Sequence, residues 1–200
     1  MEHLLEQWVE QAKGGSKEAF SDLVKATQQK LLTYAYPMLG NVQDAEDVVQ
    51  EVYIRMYRHL DKYTHHVSVM AWLYTICYRL CMNKLKKRSG LMRLLPLLHQ
   101  EAAMNERAAA NRTEPEHDLS LLDGLKAEER NLVVMRIIQG LTYEEISGIT
   151  GISVAALRKR YERVRQKLQM KCRMERTEQA HERPHHIELK RGVATYDQSI

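Results

Sequence analysis

The chain has 200 residues, 44% of them hydrophobic and 28% charged, with a formal net charge of +4 and a mean hydropathy of −0.50; this excludes disorder throughout and fits one or two small domains. No run approaches the roughly 18 uncharged apolar residues of a membrane span, and Met1-Glu2-His3-Leu4-Leu5-Glu6 lacks the basic-then-apolar order of a secretion signal, so the cytoplasm is the expected compartment. Cys77, Cys81 and Cys172 have no disulfide-framework or zinc-ribbon spacing, and nine Gly with four Pro favour long helices over strands and turns.

The first predicted element is a short amphipathic segment built on Leu4, Leu5, Trp8, Val9 and Ala12 and closed by Gly14-Gly15. From Ser16 to Leu39, Ala19, Phe20, Leu23, Val24, Thr27, Leu31, Tyr34, Ala35 and Met38 recur at steps of three and four, the stripe of an amphipathic helix. Gly40-Asn41 ends it, and Pro37 is expected to kink or close its last turn. The next helix is capped in this reading by Asp44, has Asp47 in its first turn, and buries Ala45, Val48, Val49, Val52, Met56 and Leu60. Its other face carries Asp47, Gln50, Glu51, Ile54 and Arg55.

A third helix is predicted from about Val69 to Arg88, with Met70, Leu73, Ile76, Cys77, Leu80 and Cys81 inward. Tyr74, Tyr78, Arg79, Asn83, Lys86 and Lys87 remain at least partly outward in this reading. Between Ser89 and His117 the pattern loosens into a linker holding Pro96 and Pro115, and a second domain begins near Leu119. That domain gives helical segments over Glu128–Gln139, Tyr143–Ile149 and Val154–Lys171. Thr142-Tyr143-Glu144-Glu145 has capping-box spacing, Ser153 is placed to cap the last helix, and Gly140 and Gly151 supply the turns.

Summed by segment, the charge divides sharply. Residues 1–61 hold six basic and ten acidic side chains, a net −4, whereas residues 62–100 hold seven basic and none acidic. Residues 101–118 and 119–152 return to −3 and −2, residues 153–174 reach +7, and the last 26 residues give −1. Two basic islands in an acidic chain are the footprint of a polyanion ligand, because each cation set against a phosphate releases condensed counterions. A solvated basic helix face gives the same sum.

The two islands differ in character. The second lies on two short helices joined through Gly151-Ile152-Ser153, a helix-turn-helix arrangement whose second helix enters the DNA major groove and meets base edges near its amino end. Leu157, Tyr161, Val164 and Leu168 form its apolar seam, and Arg158, Lys159, Arg160, Arg163, Arg165 and Lys167 surround it, able to pair with guanine or clamp phosphate. The alternative is a plain helical hairpin with a solvated basic face.

In the first island Tyr63, Trp72, Tyr74 and Tyr78 interleave with Lys62, Arg79, Lys84, Lys86, Lys87 and Arg88. Aromatic faces stack on unpaired bases while cations follow the backbone, which suits opened or single-stranded DNA; Trp72 and Tyr78 are equally compatible with a core role. His65-His66 fall in the preceding loop and are compatible with phosphate contact or, as exposed loop histidines, with no role at all. Cys77 and Cys81 lie one turn apart and read as small buried apolar residues, since no third ligand is suitably spaced for a metal. His181, His185 and His186 fall in a polar tail. No phosphate loop, nucleophile elbow or His-Glu-x-x-His helix is present, so neither covalent chemistry nor a cofactor is expected.

Residues 16–90 and 119–170 resemble the extracytoplasmic-function sigma factors, the minimal two-domain group of the sigma-70 family of bacterial RNA polymerase initiation factors. Asp44-Ala45-Glu46-Asp47-Val48-Val49-Gln50-Glu51-Val52-Tyr53 is similar to the family's acidic docking helix, and Ala71-Trp72-Leu73-Tyr74-Thr75-Ile76 to the start of the helix that handles the −10 element. Leu141-Thr142-Tyr143-Glu144-Glu145-Ile146 and Gly151-Ile152-Ser153 to Leu168 are similar to the helix-turn-helix that reads the −35 element. The chain departs from the pattern at Cys77-Tyr78-Arg79, where Ala-Arg-Asn is usual, at Asn83, where Asp is common, at Leu125-Lys126, where Leu-Pro is frequent, and at Gly148, where Ala is usual.

The resemblance implies an all-α protein of two small domains: region 2 over 1–90, a flexible linker over 91–118 threaded through the polymerase, region 4 over 119–171, and a polar tail over 172–200 of no assigned role. Asp44, Asp47, Gln50 and Glu51 would contact core RNA polymerase, chiefly the clamp helices of β′, with the β subunit also a partner. Trp72, Tyr74, Tyr78, Arg79, Asn83, Lys86 and Lys87 would meet −10 DNA, the loop from Asp61 to Val69 cradling a flipped base. Ser153, Ala155, Ala156, Arg158, Lys159, Arg160 and Arg163 would meet the −35 element. Promoter DNA and an anti-sigma factor, of a kind often anchored in a membrane, complete the implied partners. The residues by themselves also fit a free-standing helix-turn-helix repressor or activator, or less readily a nucleic-acid-modifying enzyme. The acidic helix separates the first of these from a sigma factor, because a repressor gains nothing from it.

Overall fold

The computed structural model describes residues 2–94 and 119–182, and every regular element in them is helical. The chain divides into two compact units, one up to Tyr161 and one from Glu162 onward. The predicted linker from residue 95 onward and most of the predicted tail, with His185 and His186, lie outside the described residues, and the linker's first four residues, 91–94, belong to the last helix of the predicted region 2. No helix among those described is long and apolar enough to cross a membrane.

In the first unit, α1 (Glu2–Lys13) buries Leu5, Val9 and Ala12. Helix α2 (Lys17–Leu39) starts where the Ser16 side chain accepts from the Ala19 amide and ends at Gly40, whose φ of 70° reverses the chain without the Cβ clash that other residues meet there. Pro37 stands in the last turn of α2, where its missing amide costs the ladder one bond and the helix continues to Leu39.

Helix α3 (Val42–Arg58) corrects the predicted cap. Asn41, not Asp44, is the capping residue, and its Oδ1 accepts from the Asp44 amide at 2.9 Å, so Asp44 sits in the first turn and Asp47 in the second. Both residue types accept well from free amides, and the extended backbone of Asn41 decides between them. The expected stripe Ala45, Val48, Val49, Val52, Met56 and Leu60 is buried, each of its valine, methionine and leucine side chains worth about 1.5–3 kcal/mol when fully removed from water. A 3-10 turn over Leu60–Lys62 leads through a loop to α4.

Helix α4 (Val69–Leu94) outruns its predicted end at Arg88. Gly90 is the one weak helix former there, and a lone glycine costs only about 1 kcal/mol, too little to stop a helix that meets no proline before Pro96. Helices α1 to α4 pack on one another around Leu23, Leu31, Tyr34, Met38, Val52, Met56 and Leu73. Inside that core Thr27 donates to the Leu23 carbonyl at 2.7 Å and accepts from the Tyr53 hydroxyl at 2.8 Å, which satisfies both buried hydroxyls.

After a 3-10 turn at Leu119–Leu122, α5 (Ala127–Val133) widens into a π turn over Val134–Ile138. The Gln139 amide there reaches back to the Val134 carbonyl, and Gly140, at φ 69°, turns the chain. Helix α6 (Tyr143–Thr150) has the predicted capping box, with Glu145 N bonded to Thr142 Oγ1 and Thr142 N to Glu145 Oε2, and it ends at left-handed Gly151. Helix α7 (Val154–Glu182) runs eleven residues past its predicted end at Lys171, since no glycine or proline interrupts it. Within the first unit, α4 packs on α5 and α6, and α2 on α5 and its π turn.

Candidate nucleic-acid and partner interfaces

The acidic helix presents a continuous strip. Because Ala45, Val48, Val49 and Val52 point inward, Asp47 and Gln50 are left exposed, followed along the same face by Ile54 at 45% and Tyr57 at 59% exposure. Glu51 is half-buried and bonded to Arg55 Nε at 2.7 Å. Tyr57 meets Phe20 of α2 edge to face, with ring centroids 5.3 Å apart. Carboxylates and an amide beside exposed isoleucine and tyrosine form a surface suited to a partner protein with cations and an apolar face.

Lys84 of α4 reaches this strip, its Nζ 2.6 Å from Asp44 Oδ1 and 3.4 Å from Asp47 Oδ2. Partial burial acts against the ammonium, but bonding to the two carboxylates outweighs it and holds the lysine above its usual pKa. Lys84 is thereby tied to the acidic face, a contact across elements that helical periodicity does not encode.

The other polar residues of α4 form a second surface. Arg79, Asn83, Lys86 and Lys87 are exposed at steps of four, three and one, and with half-buried Trp72 they line one side of the helix. Trp72 packs against Tyr63 with centroids 5.1 Å apart. His65 and His66 are exposed in the loop before it. Tyr78 is half-buried, and its hydroxyl pKa is raised by desolvation and by Glu128.

Tyr74 departs from expectation. It is 4% exposed, its ring lies 5.7 Å from that of Tyr34, and its hydroxyl donates to Gln139 Oε1 at 2.6 Å. The turn that follows α5 covers it, so in this arrangement Tyr74 is core and not surface. Cys77 and Cys81 are buried beside it; their mutual hydrogen bond and their burial push the Cys77 thiol well above its usual pKa. Among the described residues no group of three or more His, Cys, Asp or Glu is placed to hold a metal.

The helix-turn-helix is built as its residues dictate. Ser153 Oγ accepts from the Ala156 amide and starts α7, Leu157 is buried, and Ser153, Ala155, Ala156, Arg158 and Lys159 are exposed near its amino end. Arg158 lies 3.6 Å from Glu144 and 5.6 Å from the Tyr143 ring centroid, which Arg136 also approaches at 5.2 Å. Arg160 is half-buried. Arg163 is exposed on the same helix after it has passed into the second unit.

Two family models match the chain in the order of these surfaces. Sigma-70 region 2 matches residues 23–90 and sigma-70 region 4 matches residues 119–168, together more than half of the sequence. The ECF RNA polymerase sigma factor SigW of Bacillus subtilis is 29% identical over 189 residues, covering 86% of this chain and 99% of that protein. The chain belongs to the extracytoplasmic-function sigma factors of the sigma-70 family. It therefore directs transcription initiation by RNA polymerase, and its family acts by binding and not by enzymatic chemistry.

SigE of Mycolicibacterium smegmatis is 32% identical over 161 residues, 75% of this sigma factor and 60% of that one. Among solved structures, CnrH in complex with the cytosolic domain of CnrY shares 25% identity at a TM-score of 0.61, over 84% of this chain and 96% of that one. RpoE of Bartonella quintana, in complex with the anti-sigma factor NepR, shares the fold at a TM-score of 0.61 and 20% identity, over 76% of this chain and 94% of that one. Region 4 is thus the DNA-binding helix-turn-helix of α6 and α7, and the region 2 match holds α3 and most of α2 and α4.

Proposed function

We propose that this sigma factor docks on core RNA polymerase through the acidic face of α3, with Asp44, Asp47, Gln50 and Glu51 as its polar contacts and Ile54 and Tyr57 as its apolar ones. The clamp helices of β′ are the expected partner of that face, and the β subunit receives other parts of the chain. The exposure of Asp47 and Gln50 beside Ile54 and Tyr57 carries this reading, because a protein that only bound DNA would have no use for an acidic, partly apolar strip.

Promoter recognition is then divided between two surfaces. Trp72, Arg79, Asn83, Lys86 and Lys87, with the loop from Asp61 to Val69, meet the −10 element as it opens; Tyr78 and Tyr74 join them once region 4 has moved away from α4. Ser153, Ala155, Ala156, Arg158, Lys159, Arg160 and Arg163 meet the −35 duplex in the major groove. Aromatic groups beside cations on α4 favour unpaired bases over closed duplex, so binding there helps to hold the promoter open. Region 2 over residues 1–90, the linker over 91–118 and region 4 over 119–171 divide these tasks, and the protein acts in the cytoplasm. CnrH was solved with the cytosolic domain of CnrY, and by likeness an anti-sigma partner, in its turn one that can be anchored in a membrane, is assigned to this chain.

The deciding experiment is transcription from mapped promoters with purified components. The chain should give promoter-specific transcripts only when core polymerase is added, and D47A/E51A should weaken holoenzyme assembly while leaving −35 duplex affinity of the free chain unchanged. Tight specific operator binding by the free chain, with assembly unaffected in the double variant, would instead identify a free-standing repressor.

A further inference from the structure

The loop between the 3-10 turn and α4 is held from outside by α1, a helix that precedes the residues matched by region 2. Lys13 Nζ donates to the Tyr63 carbonyl at 3.0 Å and to Glu10 Oε1 at 2.7 Å, and stands 5.5 Å from the Tyr63 ring centroid. His65 Nε2 lies 3.1 Å from the same Glu10 oxygen. At the far end of the loop the Glu2 carboxylate accepts from the Val69 amide, one of the free donors that open α4, while Ser68 Oγ takes the Ala71 amide.

Tyr63 is the centre of this arrangement. It is 4% exposed, its hydroxyl donates to the Val67 carbonyl at 2.9 Å, and its ring packs between His65 and Trp72. Burial first, then the nearby Glu6, Glu2 and Glu10, push its phenol to about 12, so the hydroxyl keeps the proton it donates. The loop is short, exposed at Thr64, His65, His66, Val67 and Ser68, and has no regular structure of its own. What fixes its path is therefore Tyr63 from within and three side chains of α1 from without.

We propose that α1 is a positioning element for −10 recognition, in which Lys13, Glu10 and Glu2 hold the Tyr63–Val69 loop in the shape that receives an unpaired promoter base. The proposal rests on the reading that this loop meets the −10 element. Positioning acts by removing alternative loop shapes before the base arrives, so its loss appears as poorer discrimination between bases and not as failure to bind polymerase.

The test uses holoenzyme assembled from the full chain and core polymerase, scored for open-complex formation on duplex promoters that carry each base in turn at every −10 position. K13M should reduce discrimination by about fivefold at the position the loop reads, an energy near 1 kcal/mol, with core affinity unchanged; K13R should restore it. Should K13M melt early, E10Q carries the test, since Glu10 is exposed and supports no core packing. Substitutions at exposed Thr64 and His66 separate the two layers of the argument. If they shift base preference while K13M and E10Q leave it unaltered, the loop meets the −10 element and the positioning role is overturned. If neither set shifts it, the reading of the loop fails and the proposal falls with it.

Discussion

Tyr34 of α2 donates its hydroxyl to Asn131 Oδ1 of α5 at 2.6 Å, and both side chains are buried, at 0% and 3% exposure. Ninety-seven positions separate them, so this bond joins region 2 to region 4. Y34F removes the donor and leaves a buried amide oxygen unpaired, a loss of about 1–3 kcal/mol. The double variant Y34F/N131L, which replaces both partners by apolar groups, should recover most of that loss. Urea denaturation of the two single variants and the double variant measures the coupling, and strictly additive losses would show that the two groups act independently.

The parts of the fold set by local repetition were legible in the sequence. Val48, Val49, Val52 and Met56 recur with the helical period and are buried, and the capping box at Thr142 and Glu145 needs only four consecutive residues. The polar strip of Asp47 and Gln50 was legible for the same reason, as the complement of that stripe. Contacts between distant elements were not. Tyr74 stands in helical step with Met70, Cys77 and Cys81, but its hydroxyl pointed to an outward position, and the partner that satisfies it, Gln139, is 65 residues away. Lys84 on Asp44, and Lys13 on the Tyr63 carbonyl, were hidden in the same way, because no spacing rule links a residue to a neighbour that only folding supplies.

Alkaline pH should unfold this protein as its buried tyrosines are forced to ionise. Burial, as the largest cause, raises Tyr53, Tyr63 and Tyr74 from 10.0 to about 12, and it also pushes Tyr34 well above its usual value. In the unfolded chain these phenols ionise near 10, so above that pH the unfolded state binds fewer protons than the native state and stability falls as pH rises. The contribution is complete below pH 10 and is lost progressively between 10 and 12. Phenolate absorbance and helical circular dichroism followed together should change in one step inside that window; phenolate appearing with the helices intact would show these tyrosines to be accessible.

The exposed amino end of α7 should set −35 preference. Arg158 is held over the Tyr143 ring and near Glu144, which limits the directions its guanidinium can take. R158A should cost about 1–3 kcal/mol on the preferred −35 sequence if the residue reads a base, and should relax preference at one position. Lys159, if it meets only phosphate, should on removal weaken all sequences alike and reduce the salt dependence of binding. Competition binding of region 4 surface variants in holoenzyme to single-base −35 substitutions distinguishes the two outcomes.

Promoter binding should separate regions 2 and 4. The −10 and −35 elements lie about 25 base pairs apart, or roughly 85 Å at 3.4 Å per pair, whereas a compact unit of about 160 residues has a radius of gyration near 15 Å. The closed unit is too small to place α4 and α6–α7 on both elements together. Among the described residues its junction also buries Arg130 Nε, Gln139 Nε2 and Arg160 Nη1 without a protein hydrogen-bond partner, so opening it lets these donors reach water. Dyes placed through cysteines at exposed Lys25 of α2 and Ile137 beyond α5, in a chain lacking Cys172, should transfer energy efficiently in the free protein and lose that transfer when core polymerase and promoter are added. Transfer retained in the transcribing complex would mean that Tyr74 stays covered by Gln139 during initiation, and would remove Tyr74 from the −10 surface.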